Sequence, residues 1–331
     1  MKVLILNFNE SPENYHMEMA LSRACLNKKI NFLTIHSFKH DYSALATSKE
    51  LERNRTHYLK IQKNPECDLI ISIDFPWKTD KSSLYYARVV KKHEIRKIMI
   101  MNHLIPMPKD SSFYDKVSKT DFFKLFDYSY IFRFEDPKNY PPSGPILKRD
   151  YHIDTEYYKP EKNFENASQG IKIFTAGSKG RDFDNLLKAL DKDIKLIAVS
   201  NSQIPQKENI FFFKLNQNLF NLKKLISEAN FTAIPISDNE KNETAGMAIA
   251  FMSMAMGKPV LIKNTRWMRK YIKDGVNGFF YSKTAEIKEK INLIIANTNK
   301  LYGMGKKARE TVVKKASLDS FAYSVLEKNL K

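Results

Sequence analysis

Two cysteines, Cys25 and Cys67, are the only thiols in 331 residues. Two thiols so far apart supply neither a disulfide framework nor the ligand spacing of structural zinc, which fits a reducing compartment. Nowhere do about 18 apolar residues run together, and the apolar run at residues 3–6 is far shorter than the hydrophobic stretch of a secretory leader. A cytoplasmic protein that does not span a membrane is expected, with peripheral contact at the inner membrane face left open. Carboxylates are also scarce beside cations, 37 against 55, for a formal charge of +18. That excess points to an anionic partner such as nucleic acid or an anionic membrane, or reflects only a composition rich in lysine and asparagine. Short-period repeats and low-complexity tracts are absent.

What is present is a chain long enough for two cores, with 43% hydrophobic and 12% aromatic residues. Short β-rich apolar runs alternate with helical patterns in two series. Residues 3–6, 32–35, 69–73, 98–101 and 128–132 read as buried parallel strands, with helical spacing at 14–27 and 83–93. A second series reads as strands at 171–175, 195–199, 210–213, 231–234, 260–262 and 278–281. Helical patterns fall between them at 184–190, 219–229, 246–256 and 268–272, and a final helix occupies 317–331. The class is therefore α/β with two doubly wound parallel sheets, divided as 1–150, 151–316 and a terminal helix 317–331. The join is the polar, proline-marked stretch 138–170.

The stretch 243–281 is apolar, interrupted by glycines and followed by cations. Thr244 or Asn242 is suited to cap a helix running from Met247 to Met256, and Gly257 to end it. The helix start at Thr244, Ala245 and Gly246 would offer unpaired N–H groups to an anion, with no bulky side chain in the way. Earlier, Gly177, Ser178, Lys179, Gly180 and Arg181 form a strand-to-helix turn. Lys179 and Arg181 are suited to neutralise a diphosphate there. The same turn also reads simply as one that needs glycine for positive φ, with solvated cations.

Residues 152–160 narrow the choice. Ile153, Asp154, Tyr158 and Pro160 fall in the register glycine, aliphatic, aspartate, three variable residues, aromatic, one variable residue, proline, with His152 in place of the glycine. Ser253 to Val260 follows the pattern Ala-Met-Ala-x-Gly-x-Pro-Val with Ser first, and Asp274 to Gly278 reads aspartate-glycine-x-x-glycine. In these elements the chain resembles the retaining GT-B glycosyltransferases of glycosyltransferase family 4. The match covers residues 150–281, whereas the N-terminal half agrees only in strand pattern.

The resemblance implies two Rossmann-like domains facing across a cleft, with the C-terminal helix returning to the N-terminal domain. It implies a UDP- or GDP-sugar bound by the C-terminal domain and an acceptor hydroxyl on a glycan, a glycolipid or nucleic acid bound by the N-terminal one. Transfer would retain anomeric configuration and need no metal and no cofactor beyond the donor. By the same likeness Gly177, Ser178, Lys179, Arg181, Thr244, Ala245 and Gly246 would hold the diphosphate. His103 and Arg181 would act at the reacting sugar and its leaving group; the family's donor-sugar glutamate falls on Ala245 here, and Glu243, nearby but offset in register, would serve the donor in its place. Met252 stands where the family carries a ribose-binding glutamate, and the loop 7–12 lacks the family's glycine pair. Asp74, at a strand end, reads either as an acceptor base or as a local turn residue. Residues 113–126 mix aromatics with lysines, which suits a core-packed amphipathic helix or a membrane-surface one. The basic clusters near residues 91, 269 and 307 read as solvated faces or, together, as an anion footprint. Two other classes fit: a transferase or binder acting on DNA, and a two-lobed sugar- or nucleotide-binding protein without catalysis.

Overall fold

The computed structural model describes residues 1–37, 49–74, 76, 81–102, 124–136, 144–160, 170–205, 207–215 and 222–329. His103 and nearly all of 113–126 lie outside the described residues. The chain divides into two compact units, one of Met1–Asp154 with Leu318–Lys331, the other of Thr155–Ser317.

Unit 1 is built on seven parallel strands: β1 (Lys2–Asn7), β2 (Asn31–His36), β3 (Arg55–His57), β4 (Leu69–Ile73), β5 (Arg96–Ile100), β6 (Tyr128–Phe132) and β7 (Ile146–Arg149). Their order is β3-β2-β1-β4-β5-β6-β7. β1 is buried over its last five residues and β4 throughout, as strands covered on both faces require. The helices are α1 (Pro12–Asn27), α2 (Lys49–Arg53) and α3 (Lys81–Lys92). Ser11 caps α1 by accepting the Asn14 N–H at 3.1 Å, and Pro12, which has no N–H to satisfy, opens the helix.

The second sheet follows the order β10-β9-β8-β11-β12-β13 and is also wholly parallel. Its strands are β8 (Lys172–Ala176), β9 (Lys195–Ser200), β10 (Ile210–Lys214), β11 (Phe231–Ile234), β12 (Val260–Lys263) and β13 (Phe279–Tyr281). Its helices are α4 (Phe183–Lys188), α5 (Leu222–Ser227), α6 (Met247–Ala255), α7 (Ile287–Ala296) and α8 (Leu301–Ala316). α9 (Leu318–Asn329) belongs to unit 1, where it packs on α1. No helix among the described residues is long and apolar enough to cross a membrane.

The expected strands are all present, and the differences have physical reasons. β3 has no apolar residue and β7 is mostly half-exposed, so neither carries the pattern of a buried strand. α2, α7 and α8 are additional. α8 buries Gly305, Ala308 and Ala316, small residues that leave little hydrophobic signal. A Cβ on Gly305 would run into the Gly257 carbonyl, so this glycine lets α8 approach the end of α6. The helix expected at 268–272 is only a 3-10 turn, Met268–Lys270.

The segment carrying the resemblance to family 4 is held by buried charge. Asp154, 1% exposed, accepts from Arg23 Nη2 at 2.9 Å and contacts His16 Nδ1 at 3.2 Å. Arg23 also bonds Asp319 of α9 through Nε, at 2.8 Å. His152 stacks on Phe321 with ring centroids 5.0 Å apart, and burial together with Arg149 pushes its imidazole down to about 3. Arg309, placed above among solvated cations, instead points at the backbone. It donates to the carbonyls of Thr155, Tyr158 and Ala255, which joins α8 to this segment and to the end of α6.

Candidate functional site

In unit 2 the strand order reverses between β8 and β11, and open α/β sheets bind ligands beyond the carboxyl ends of strands at such a point. The turn Gly177 to Arg181 follows β8, and the segment from Pro235 to Gly246 follows β11. A short antiparallel bridge between Arg181 and Ile236 joins the two. Asp182 N–H donates to the Pro235 carbonyl at 2.8 Å and Ser237 N–H to the Gly180 carbonyl at 3.0 Å. Tyr281, 1% exposed, pins the β11 exit: its hydroxyl accepts the Ile236 N–H at 2.5 Å and donates to the Ile234 carbonyl at 2.9 Å. Burial pushes this phenol well above its ordinary range, so it remains a donor.

Glycine is needed at three positions here. Gly177 has φ +115, and a Cβ on it would lie 2.5 Å from the Arg181 guanidinium. Gly180 has φ +69 with the Glu240 carboxylate pressed against it. Gly246, the N-cap of α6, has φ +82, and its Cβ would sit 2.7 Å from Ile234 Cγ2 and 3.2 Å from Ile236 Cδ1. Side-chain-bearing residues rarely adopt such angles, and none would fit here without displacing a neighbour.

Arg181 is folded inward: Nε donates to the Ala176 carbonyl at 3.2 Å and Nη1 to the Lys179 carbonyl at 3.3 Å. Its Nη2 N–H groups carry no hydrogen bond among the described residues. Burial lowers its pKa, opposed by Tyr281 and Glu240, yet guanidinium stays charged. Lys179 is exposed. Ser178 is tied to the end of β9, its Oγ accepting the Asn201 N–H at 2.6 Å and lying 3.2 Å from Ser200 Oγ.

The start of α6 differs from expectation. Neither Thr244 nor Asn242 caps it; Gly246 does, with no side-chain hydrogen bond. Asn242 instead closes a local turn, its Oδ1 accepting the Thr244 N–H at 2.9 Å and the Thr244 hydroxyl at 2.7 Å. The Ala245 N–H donates to the Asn242 carbonyl and the Met247 N–H to the Thr244 carbonyl, each at 3.0 Å. Ala248 and Ile249 then have N–H groups with no acceptor inside the helix. Glu243 lies in this turn, half exposed, with its carboxylate 3.6 Å from Arg266. The far end of α6 is as expected: Gly257, φ +72, closes it with Gly257 N–H to the Met254 carbonyl at 3.0 Å and Lys258 N–H to the Ser253 carbonyl at 2.9 Å. The Lys258 ammonium is used internally, donating to the carbonyls of Ser227 and Ala229 at the end of α5.

Glu240, Lys263 and Tyr281 escaped the sequence reading. Lys263 Nζ donates to the carbonyls of Ser237 and Asp238 at 2.9 and 3.2 Å, which braces the β11 exit. The signal available for Tyr281 was its place at the end of the expected strand 278–281, just after the Asp274–Gly278 motif; Glu240 and Lys263 had none.

In unit 1 the reversal falls between β1 and β4, and side chains fill its carboxyl edge. Asp74, with φ +51 and 1% exposed, accepts the Asn102 N–H at 2.6 Å and Asn9 Nδ2 at 3.4 Å. Asn102 Nδ2 donates to Asn14 Oδ1 at 2.9 Å, and Arg149 Nη2 donates to Asn102 Oδ1 and, at 3.0 Å, to the Met101 carbonyl. Asp74 thus holds a turn.

This geometry, two Rossmann-like sheets with a glycine-lined corner at one reversal point, is the GT-B architecture, and residues 200–311 match the model of the family described as glycosyl transferases group 1. Fold and match together define the class as a glycosyltransferase. Among solved structures the chain is similar to HepE from Anabaena in complex with UDP and glucose, at 13% identity and TM-score 0.61, covering 100% of this chain and 99% of that one. It is also similar to a glycosyltransferase from Rickettsia africae, at 14% identity and TM-score 0.63 over 98% and 97% of the chains. A third likeness is to sucrose-phosphate synthase from Thermosynechococcus elongatus, at 11% identity and TM-score 0.59 over 99% and 98%. Comparison with curated proteins returns no match.

Proposed function

We propose that the protein transfers a hexosyl group from a UDP-sugar, or a GDP-sugar, to an acceptor hydroxyl with retention and without a metal. The observation that carries this reading is the corner at the β8/β11 reversal, where Arg181 and the start of α6, capped by no side chain, both border Ile236. HepE, similar in fold, is known in complex with UDP-glucose.

A departing nucleoside diphosphate gains negative charge as the glycosidic bond breaks. Groups already aimed at that charge lower the barrier because they need no reorganisation. The Ala248 and Ile249 N–H groups, the partial positive charge of the α6 N-terminus and the Nη2 face of Arg181 supply them, with Lys179 at the rim. Glu243 takes the donor sugar hydroxyls, exchanging its exposed pairing with Arg266, and Met252 leaves the nucleotide ribose without the family's carboxylate partner. His103 orients the sugar or the acceptor hydroxyl. The acceptor, a glycan or glycolipid, falls to unit 1.

The test is ligand-dependent melting against UDP-, GDP- and ADP-sugars, followed by product analysis. A UDP-sugar is expected to raise the melting temperature, and Arg181→Ala to weaken its binding by about ten- to a hundredfold, the loss of one or two charge-assisted hydrogen bonds. The expected product keeps the donor's anomeric configuration, and activity survives EDTA. Folded protein that neither binds nor turns over any of these donors overturns the reading.

A further inference from the structure

Away from the carboxyl edge of its sheet, unit 2 carries a groove of about 420 Å³ between the turn at residues 269–277 and one face of α8. Arg269, Lys270 and Lys273 line it from the turn. Lys307, Lys314 and Lys315 line it from α8, where spacings of seven and eight residues keep them on one face. Glu310 is the lone acid lining the groove among the described residues.

None of the six cations forms an ion pair among the described residues. The Lys270 ammonium lies 3.7 Å from the centre of the Trp267 ring, and Lys315 Nζ donates to the Lys270 carbonyl at 2.8 Å. Cations on two walls can act on one ligand only if the walls are fixed relative to one another. Asn277, 5% exposed, fixes them: its Nδ2 donates to the Tyr271 carbonyl at 2.9 Å and to Thr311 Oγ1 of α8 at 3.0 Å, while its Oδ1 accepts the Lys273 N–H at 2.7 Å. The two walls that carry the cations are therefore fixed relative to one another before any ligand arrives, which reduces the ordering cost of binding.

We propose that this groove binds a compact polyanion carrying two or more phosphates, at a site separate from the diphosphate corner. Its concavity and volume match a small ligand. A bilayer is flat and a duplex extended, and each is met by a protruding cationic face or a long basic track.

Calorimetric titration of the full chain with sodium tripolyphosphate tests this. Saturable binding is expected, weakened at least about tenfold in the double variant Lys307→Glu and Lys314→Glu, because two cations become anions beside the ligand. The double variant Lys288→Glu and Lys290→Glu on α7 changes net charge equally and is expected to stay within about twofold. Arg181→Ala is expected to retain the groove's binding. Absence of saturable binding, equal weakening in both lysine variants, or loss in Arg181→Ala alone overturns the proposal. So does competition by anionic phospholipid vesicles or a short DNA duplex that exceeds tripolyphosphate per phosphate.

Discussion

The two carboxyl edges, one in each unit, solve the same topological problem by opposite means. At the reversal between β1 and β4, side chains fill the space: Asn9, Asn14, Asp74, Asn102 and Arg149 bond one another. At the reversal between β8 and β11, glycines clear it, and backbone groups with one guanidinium line what is left. One fold therefore gives an edge filled by side chains and an edge cleared by glycines. The difference lies in what occupies the edge: bonded polar side chains at one reversal, open backbone and a guanidinium at the other.

Putting a side chain into the cleared edge breaks the contrast most severely. Gly246→Ala places a Cβ 2.7 Å from Ile234 Cγ2 at φ +82, and the expected cost is about 3 kcal/mol from left-handed strain plus overpacking, with loss of nucleotide-sugar binding. Thermal denaturation and donor titration read the two effects separately. Unchanged stability and affinity would mean that the corner tolerates a side chain.

Emptying the filled edge is the reciprocal change. Asp74→Ala leaves the Asn102 N–H without its acceptor and puts alanine in a left-handed turn, at an expected cost of about 2 kcal/mol. Asp74→Asn keeps an acceptor and tolerates the angle, so it should recover most of the loss in denaturant titration. An Asn variant no better than Ala would assign the effect to charge.

The mildest probe is pH. Burial, with Arg149 next, lowers His152 to about 3, and burial, with Arg55 next, lowers His36 to about 3. Both are in unit 1. Each imidazole takes up its proton more readily in the unfolded chain, so its stabilising contribution is complete above the unfolded pKa. It is lost as pH falls from the unfolded value toward about 3. Between pH 7 and 6 the expected loss is about 0.7 kcal/mol per histidine, following from an unfolded pKa near 6.5. His152→Phe, which keeps a ring on Phe321, should flatten that slope in stability-against-pH measurements; an unaltered slope would remove His152 from the account.

The buried parallel strands were legible because both faces are covered, so each reads as an unbroken apolar run. The ends of α6 show what was readable and what was not. Gly257 closes the helix as expected, because a left-handed residue after an apolar helix is a local requirement. At the other end Thr244 and Asn242 both had capping side chains. Asn242 went to its own turn, and Gly246 took the cap because Ile234 and Ile236 leave no room for a Cβ. No local pattern carries that exclusion. Arg309 read as part of a solvated basic cluster and Lys258 as a variable position of a motif, yet each ends on carbonyls contributed by distant segments.

By itself the sequence determined the two series of strands and helices and the glycine positions, because periodicity and backbone conformation are properties of neighbouring residues; the class of chemistry came from the resemblance carried by residues 150–281. Tertiary structure alone decided which polar groups are already satisfied. It placed Glu240, Lys263 and Tyr281 around the β11 exit, turned Arg181 inward, and aligned the cations of α8 with those of the 269–277 turn. Those outcomes depend on partners far apart in the chain, whose encounter no local spacing records.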